Sequence, residues 1–213
     1  MASELVDGLR LPLPVAGVPA LDFLNTRAGW PAQTNEYLVD YPPLVVWCRQ
    51  RGFVDGPTCR RALAAARVEP KAAAAVLTRA LALREALRPV LVASQGTPRA
   101  AAGAWPLLRQ EARAARQEVE LGPAPAGPGV AAWRLAASTE PVLVPYLELV
   151  LAVSQVLVSP LARSVRACPM PDCGWVFADP SGRRRWCSMA WCGNRAKVRA
   201  YAARTRTVAS GGR

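Results

Sequence analysis

Apolar positions recur with helical spacing along most of the first 160 residues. Between residues 71 and 94, strong helix formers place Leu77, Leu81, Leu87 and Leu91 on one broad apolar face, which predicts an amphipathic helix that Pro89 kinks or ends. Shorter segments with the same spacing, glycine stops or proline starts predict further helices at 44–51, 58–68, 105–117 and 144–158.

Within the first 160 residues, the best candidates for a two-residue period lie near residues 118–137. Trp133 and Leu135 alternate with smaller or charged residues, which predicts a strand over 130–137. The Gly/Pro-rich loop 122–129 would join it to a strand over 118–121 as a hairpin. We therefore predict an α+β fold: a mainly helical domain with a small β-hairpin over 1–160, and a second, smaller domain over 161–213.

The hydrophobic run at 142–158 is the most apolar of the chain, but Pro145, Glu148 and Gln155 interrupt it. It is shorter than the roughly twenty apolar residues of a bilayer span, so it is predicted to be a buried core helix. Residues 1–10 carry Glu4 and Asp7 and show no signal-peptide pattern. The sequence thus predicts a cytoplasmic protein with no membrane association.

Positive charge is concentrated at the C-terminal end. The chain has a net charge of +12, and residues 163–213 hold eleven Arg or Lys against Asp172 and Asp179. Such a concentration indicates an anionic partner, either nucleic acid or an acidic membrane surface. The alternative is a solvated basic face that binds nothing.

Four of the six cysteines form two pairs, each enclosing four residues, with thirteen residues between the pairs. Closely spaced cysteines in a reducing compartment favour metal binding over disulfides, and four thiolates suit one tetrahedral Zn²⁺. Iron–sulfur ligation, redox-active thiols and unrelated buried cysteines are the alternatives. The candidate ligands are Cys168, Cys173, Cys187 and Cys192.

The residue composition also restricts the chemistry. The chain contains no histidine, which excludes a mixed Cys/His zinc site and a Ser-His or Cys-His catalytic pair. Four protein ligands leave no coordination position for a substrate, so the predicted zinc ion is structural and the protein is not expected to be an enzyme.

Around these cysteines the sequence predicts a hairpin and a helix. Residues 174–177 alternate as a strand does, 179–182 form a turn signal, and 183–186 would be the return strand. A basic helix is predicted over 194–206, with almost no large apolar face. These elements would form a small zinc finger with four cysteine ligands.

The run from 173 to 206 resembles the CGNR zinc-finger family, through CGW at 173–175, RRWCSM at 184–189 and CGNRAK at 192–197. The N-terminal part resembles the ABATE domain, through LDFLNT at 21–26, the helix around Trp47 and ALALREALRPVL at 80–91. The resemblance implies a bacterial stress-related transcription regulator whose finger binds DNA, and it carries the four ligand roles onto the four paired cysteines.

On this basis we expect nucleic acid as the partner, with DNA preferred. RNA or ribosome binding, and a protein-interaction module with a purely structural zinc site, are the alternatives. The candidate phosphate contacts, each of which could instead face a ligand sulfur or solvent, are Arg184, Arg185, Arg195, Lys197 and Arg199.

The N-terminal domain is predicted to sense a small-molecule effector or to form a homodimer. Asp22, Asn25 and Trp30 are the candidate polar residues of an effector pocket. The alternative for these three is helix or turn capping, or core packing.

Overall fold

The computed structural model describes residues 2–30, 35–92, 98–124 and 129–210. Within them the chain is mainly helical, with small antiparallel hairpins. The α-helices are α1 (Pro19–Asp22), α2 (Tyr41–Gln50), α3 (Gly56–Val68), α4 (Pro70–Leu91), α5 (Pro98–Gln117), α6 (Val144–Val158) and α7 (Asn194–Ser210). The strands are β1 (Ser3–Val6), β2 (Leu9–Pro12), β3 (Arg27–Ala28), β4 (Asn35–Glu36), β5 (Val119–Pro123), β6 (Ala131–Leu135), β7 (Val165–Ala167) and β8 (Val176–Ala178).

Helices α2 to α6 build the N-terminal core. Helix α6 has the predicted bounds, and it is buried along most of its length because its residues are apolar on nearly every side. Trp47 of α2 is fully buried and contacts Phe23 and Phe53 through its ring. None of the described helices is long and apolar enough to cross a membrane.

Several helix ends differ from the sequence prediction: α2 begins at Tyr41 rather than at residue 44, and α7 ends at Ser210 rather than at residue 206. Helix α3 begins at Gly56, two residues before the predicted start, because Asp55 caps it: its carboxylate accepts a hydrogen bond from the Thr58 backbone N–H. Helix α5 begins at Pro98, seven residues before the predicted start at Trp105, and Pro106 lies inside it. Residue 94, the predicted end of the long helix, lies outside the described residues.

The predicted hairpin of the N-terminal domain is confirmed. Strands β5 and β6 pair antiparallel, with Val119 opposite Leu135 and Leu121 opposite Trp133. Residues 125–128 of the predicted loop lie outside the described part of the chain. Two further small pairs, β1 with β2 and β3 with β4, were not predicted.

The predicted hairpin of the finger is wrong in its pairing. Strand β8 pairs with β7, which precedes the first cysteine, and residues 183–186 form no strand. The physical reason is Asp179, whose carboxylate accepts hydrogen bonds from the backbone N–H groups of Arg183 and Arg184 and bends this segment into a loop. The first cysteine pair therefore lies in the loop of a β7–β8 hairpin.

The two predicted domains pack against each other. Val165 and Val176, on the two strands of the finger hairpin, belong to the main hydrophobic core. A second apolar cluster combines the four paired cysteines with Ala28, Trp30 and Tyr37 of the N-terminal part. The domain boundary at residue 160 stays a prediction; Pro160 begins a short 3-10 helix, Pro160–Ser164, that leads directly into β7.

Candidate metal centre and nucleic-acid interface

The structure brings the four paired cysteines together. Their sulfur atoms all lie within 4.8 Å of one another, and all four residues are buried. The Sγ of Cys187 lies 3.6 Å from that of Cys173 and 3.5 Å from that of Cys192. Zn–S bonds of about 2.3 Å place the sulfurs of a tetrahedron about 3.8 Å apart, so the cluster can bind one zinc ion.

The first pair of ligands is held by a tight turn at the end of β7. The Cys168 N–H donates to the Trp175 carbonyl oxygen at 2.7 Å, and the Cys173 N–H donates to that of Met170 at 3.0 Å. Gly174 follows with a φ of +63°, in the left-handed region. A Cβ at Gly174 would lie 2.7 Å from the Cβ of Trp30, so this position requires glycine.

Of the second pair, Cys187 precedes and Cys192 lies within a short π-helical turn, Met189–Gly193, that leads into α7. A hydrogen bond from the Gly193 backbone N–H to the Ser188 carbonyl oxygen, at 3.0 Å, closes this turn. Asn194, the first residue of α7, donates its side-chain amide to the Ala190 carbonyl oxygen. The fourth ligand, Cys192, thus lies at the N-terminal end of the basic helix.

The thiols cannot all ionise without a cation. Hydrogen bonds from the Cys173 and Cys187 thiols lower the pKa of Cys168 to about 2, whereas donating to Cys168 raises the pKa of Cys173 to about 12. Hydrogen bonding to Cys168 and to Cys173, and then burial, raise the pKa of Cys187. A bound Zn²⁺ would compensate the four thiolates and remove this conflict, which is the chemistry expected of a structural zinc site.

The side-chain amide of Asn25, in the N-terminal part, pairs with the backbone of Val176 in β8 in the way that a neighbouring strand would. Its side-chain Nδ2 donates to the Val176 carbonyl oxygen at 3.0 Å, and its Oδ1 accepts from the Val176 N–H at 2.8 Å. Both partners are buried, so these two hydrogen bonds satisfy backbone groups that solvent cannot reach. The hairpin that carries the first ligand pair is therefore anchored on the N-terminal part.

Further contacts surround the first ligand pair. The backbone N–H of Trp30 donates to the Cys173 carbonyl oxygen at 3.2 Å. The Arg88 guanidinium donates to the Gly174 carbonyl oxygen at 2.7 Å. The Trp175 ring nitrogen donates to the Arg27 carbonyl oxygen at 2.9 Å. Burial, the main cause, lowers the pKa of Arg88 to about 10. The metal centre is thus built by both parts of the chain.

Comparison with known protein families agrees with this architecture. A family model for the ABATE domain matches residues 17–166, which is more than half of the chain. The chain belongs to the ABATE family. That family is described as a "putative stress-induced transcription regulator". A second model, the CGNR zinc finger, matches residues 164–205 and contains all four clustered cysteines. No curated protein gives a significant match.

The three residues predicted to line an effector pocket all make contacts within the protein: Asn25 and Trp30 contact the finger, and Asp22 contacts the N-terminal part itself. Asp22 accepts hydrogen bonds from the backbone N–H groups of Val15 and Ala16, and burial raises its pKa. Asn25 binds Val176, and Trp30 packs against Gly174. The capping and packing alternative therefore accounts for their contacts, since the polar groups of Asp22 and Asn25 are engaged by backbone.

The guanidinium groups of two of the five predicted phosphate contacts are hydrogen-bonded to other groups of the protein. The Arg184 guanidinium donates to the carbonyl oxygens of Val15 and Cys187 and lies 4.5 Å above the centre of the Phe177 ring. Arg195 donates to the Cys192 Sγ at 3.2 Å and to the Asp172 carboxylate at 2.6 Å. Because Asp172 lies within the first cysteine pair, Arg195 joins the two halves of the metal centre.

The other three are exposed. Arg199 reaches the Asp172 carboxylate at 3.6 Å, whereas Arg185 and Lys197 point to solvent. Residues 183–186 and the first turns of α7 enclose a groove of about 500 Å³.

The finger has two sides, which we name by their residues. The inner face is Gly174, Trp175, Val176 and Arg184, and the outer face is Arg183, Arg185, Trp186 and Lys197.

Proposed function

We propose that the chain binds DNA through the outer face of its CGNR zinc finger and regulates transcription. The observation that carries the proposal is the uncompensated positive charge of this face. Arg183, Arg185 and Lys197 are exposed, and none has an ion-pair partner among the residues that the structure describes. Unpaired cations close together attract a polyanion and release its counterions on binding.

The acids of the finger cannot neutralise this charge because both are already engaged. Asp172 is paired with Arg195 and Arg199. Asp179 is buried, accepts the two backbone N–H groups described above, and lies 3.3 Å from the Arg166 side chain. Neither acid of the finger is therefore left to pair with the three cations of the outer face.

The ABATE family description supports transcription as the setting. The contacts at the inner face add a structural reason, since they fix the first ligand pair to the ABATE domain. A change in that domain would be transmitted to the finger through Asn25, Trp30 and Arg88.

The test is a titration of the zinc-loaded chain against a labelled random-sequence DNA duplex at several salt concentrations. We expect affinity to fall steeply as salt rises. The double variant R185A/K197A should bind more weakly, and the slope of log affinity against log salt should become shallower by about 2.

The matched control is R60A/R67A, which removes two exposed charges from α3 of the ABATE domain. It should leave the affinity and the slope nearly unchanged, with an unchanged zinc content in both variants. Absence of binding at low salt, or equal weakening by both double variants, would contradict the proposal. Tighter binding of a structured RNA than of DNA would identify RNA as the partner.

A further inference from the structure

The groove on the outer face has an apolar floor between its basic rims. Small residues of the π-helical turn and α7, spaced three and four apart, leave room along one side of the helix. Trp186 and Met189 complete the floor, and Met189 is 56% exposed. The small residues are Gly193, Ala196 and Ala200.

The rims place cations beside this floor. Arg183, Arg184 and Arg185 of the loop and Lys197 of α7 line the groove, and of these only the Arg184 guanidinium is engaged by backbone carbonyl oxygens in the described part of the chain. The Arg185 guanidinium carbon lies 5.8 Å from the centre of the Trp186 ring, so one side of the groove offers an aromatic ring and a cation together. A ligand that fits it combines a flat apolar group with negative charge on either side.

A nucleotide whose base is unpaired has this composition. In a duplex both faces of each base are covered by stacking, so no base could stack on Trp186, and contact would be limited to the phosphates and to base edges in the grooves. The cations alone would suffice for phosphates, and the aromatic floor would then remain exposed to solvent. Basic grooves with aromatic side chains are typical of proteins that bind single strands.

We propose that this groove binds unpaired nucleotides, with a base stacked on Trp186 and the flanking phosphates on Arg183, Arg185 and Lys197. The inference rests on the proposed function and specifies the form of nucleic acid that the same face prefers. It makes the chain a reader of single-stranded or locally opened DNA.

The test compares three labelled ligands of equal length with the zinc-loaded chain at one salt concentration: a thymidine strand, the same strand with abasic sites in place of its bases, and a duplex. We expect the intact strand to bind about tenfold more tightly than the abasic strand, which has the same phosphates and no bases. The duplex should bind no more tightly than the abasic strand.

Variants of Trp186 locate the effect. W186L should weaken binding of the intact strand about tenfold and change duplex binding less than about twofold, whereas W186F should retain most of the affinity because it keeps an aromatic ring. W133L, which alters an exposed tryptophan of the β5–β6 hairpin, is the matched control. The comparison of intact with abasic strands uses the unmodified chain, so it tests whether bases contribute to binding even if W186L loses zinc.

Equal affinity for the intact and abasic strands, or preference for the duplex, would overturn this inference and leave the proposed DNA binding standing. Failure of all three ligands to bind at low salt would overturn both.

Discussion

The inner and outer faces of the finger use the same kinds of residue for different purposes. Arg184 and Arg185 are neighbours in the sequence, yet the first donates to backbone carbonyl oxygens of both domains and the second is exposed. Trp175 is buried against the ABATE domain, whereas Trp186 lines an open groove. Charge and aromatic content alone therefore do not identify a binding surface; the contacts of each side chain do.

Loss of zinc should have the largest effect, because it removes the support of both faces. C173S should reduce the zinc content from about one ion per chain to none and abolish nucleic-acid binding, since structural zinc supplies on the order of 10 kcal/mol to small domains. Because Cys173 contacts Trp30, the unfolding temperature of the ABATE domain should fall too. Metal analysis and calorimetry measure both.

The control is C59A, which alters a buried cysteine of α3 outside the cluster. It should keep its zinc. A C173S chain that still holds one tightly bound zinc would show that the cluster is not the metal site.

The neighbouring arginines give the sharpest comparison of the two faces. R184A should lower the free energy of unfolding by about 2 kcal/mol, because two partly buried carbonyl oxygens lose a charged donor. R185A should change it by less than about 0.5 kcal/mol and should weaken DNA binding instead. Chemical denaturation and the salt titration, applied to both variants, test this division; similar stabilities would refute it.

Arg195 acts between the faces, at the metal centre. R195A should weaken zinc affinity by about 10- to 100-fold, the usual effect of removing a group that hydrogen-bonds a metal ligand. Competition with a chromophoric chelator measures this. R199A, which removes a neighbour that reaches Asp172 but for which no sulfur contact is described, should change zinc affinity far less, and an equal effect of the two would contradict the assignment.

The smallest expected effect is on the pH dependence of stability, through the buried carboxyl group of Asp22. Burial raises its pKa, so its ionisation is less favourable in the folded chain than in the unfolded one. The protonated carboxyl group of Asp22 therefore favours the folded chain. This stabilisation is fully present below about pH 4 and is lost as pH rises through the folded-state pKa.

D22N keeps an oxygen acceptor for the two backbone N–H groups and removes the charge. Its stability relative to the unmodified chain should therefore increase as pH rises from about 4 to about 8. Denaturation of both chains across this range is the measurement. A pH-independent difference would show that the charge of Asp22 has no such cost.

Local sequence signals predicted a large part of this molecule. Helices α4 and α6 and the β5–β6 hairpin follow from apolar spacing, and the cysteine spacing predicted the cluster. The pairing of β7 with β8 was missed because the three-residue β7 carries too little pattern. The role of Asn25 was missed because its partner Val176 is 151 residues away, and no local rule links a side-chain amide to a distant strand.

That separation also orders the events of synthesis. When the ABATE helices have left the ribosome, the Asn25 amide and the Ala16 carbonyl oxygen still lack Val176 and Ala178, their later partners. A growing chain must keep these groups hydrated until its last part emerges. The N-terminal domain therefore cannot form all of its native hydrogen bonds until the β7–β8 hairpin has been synthesised. A chain truncated before residue 176 would lack the partners of Asn25 and Ala16.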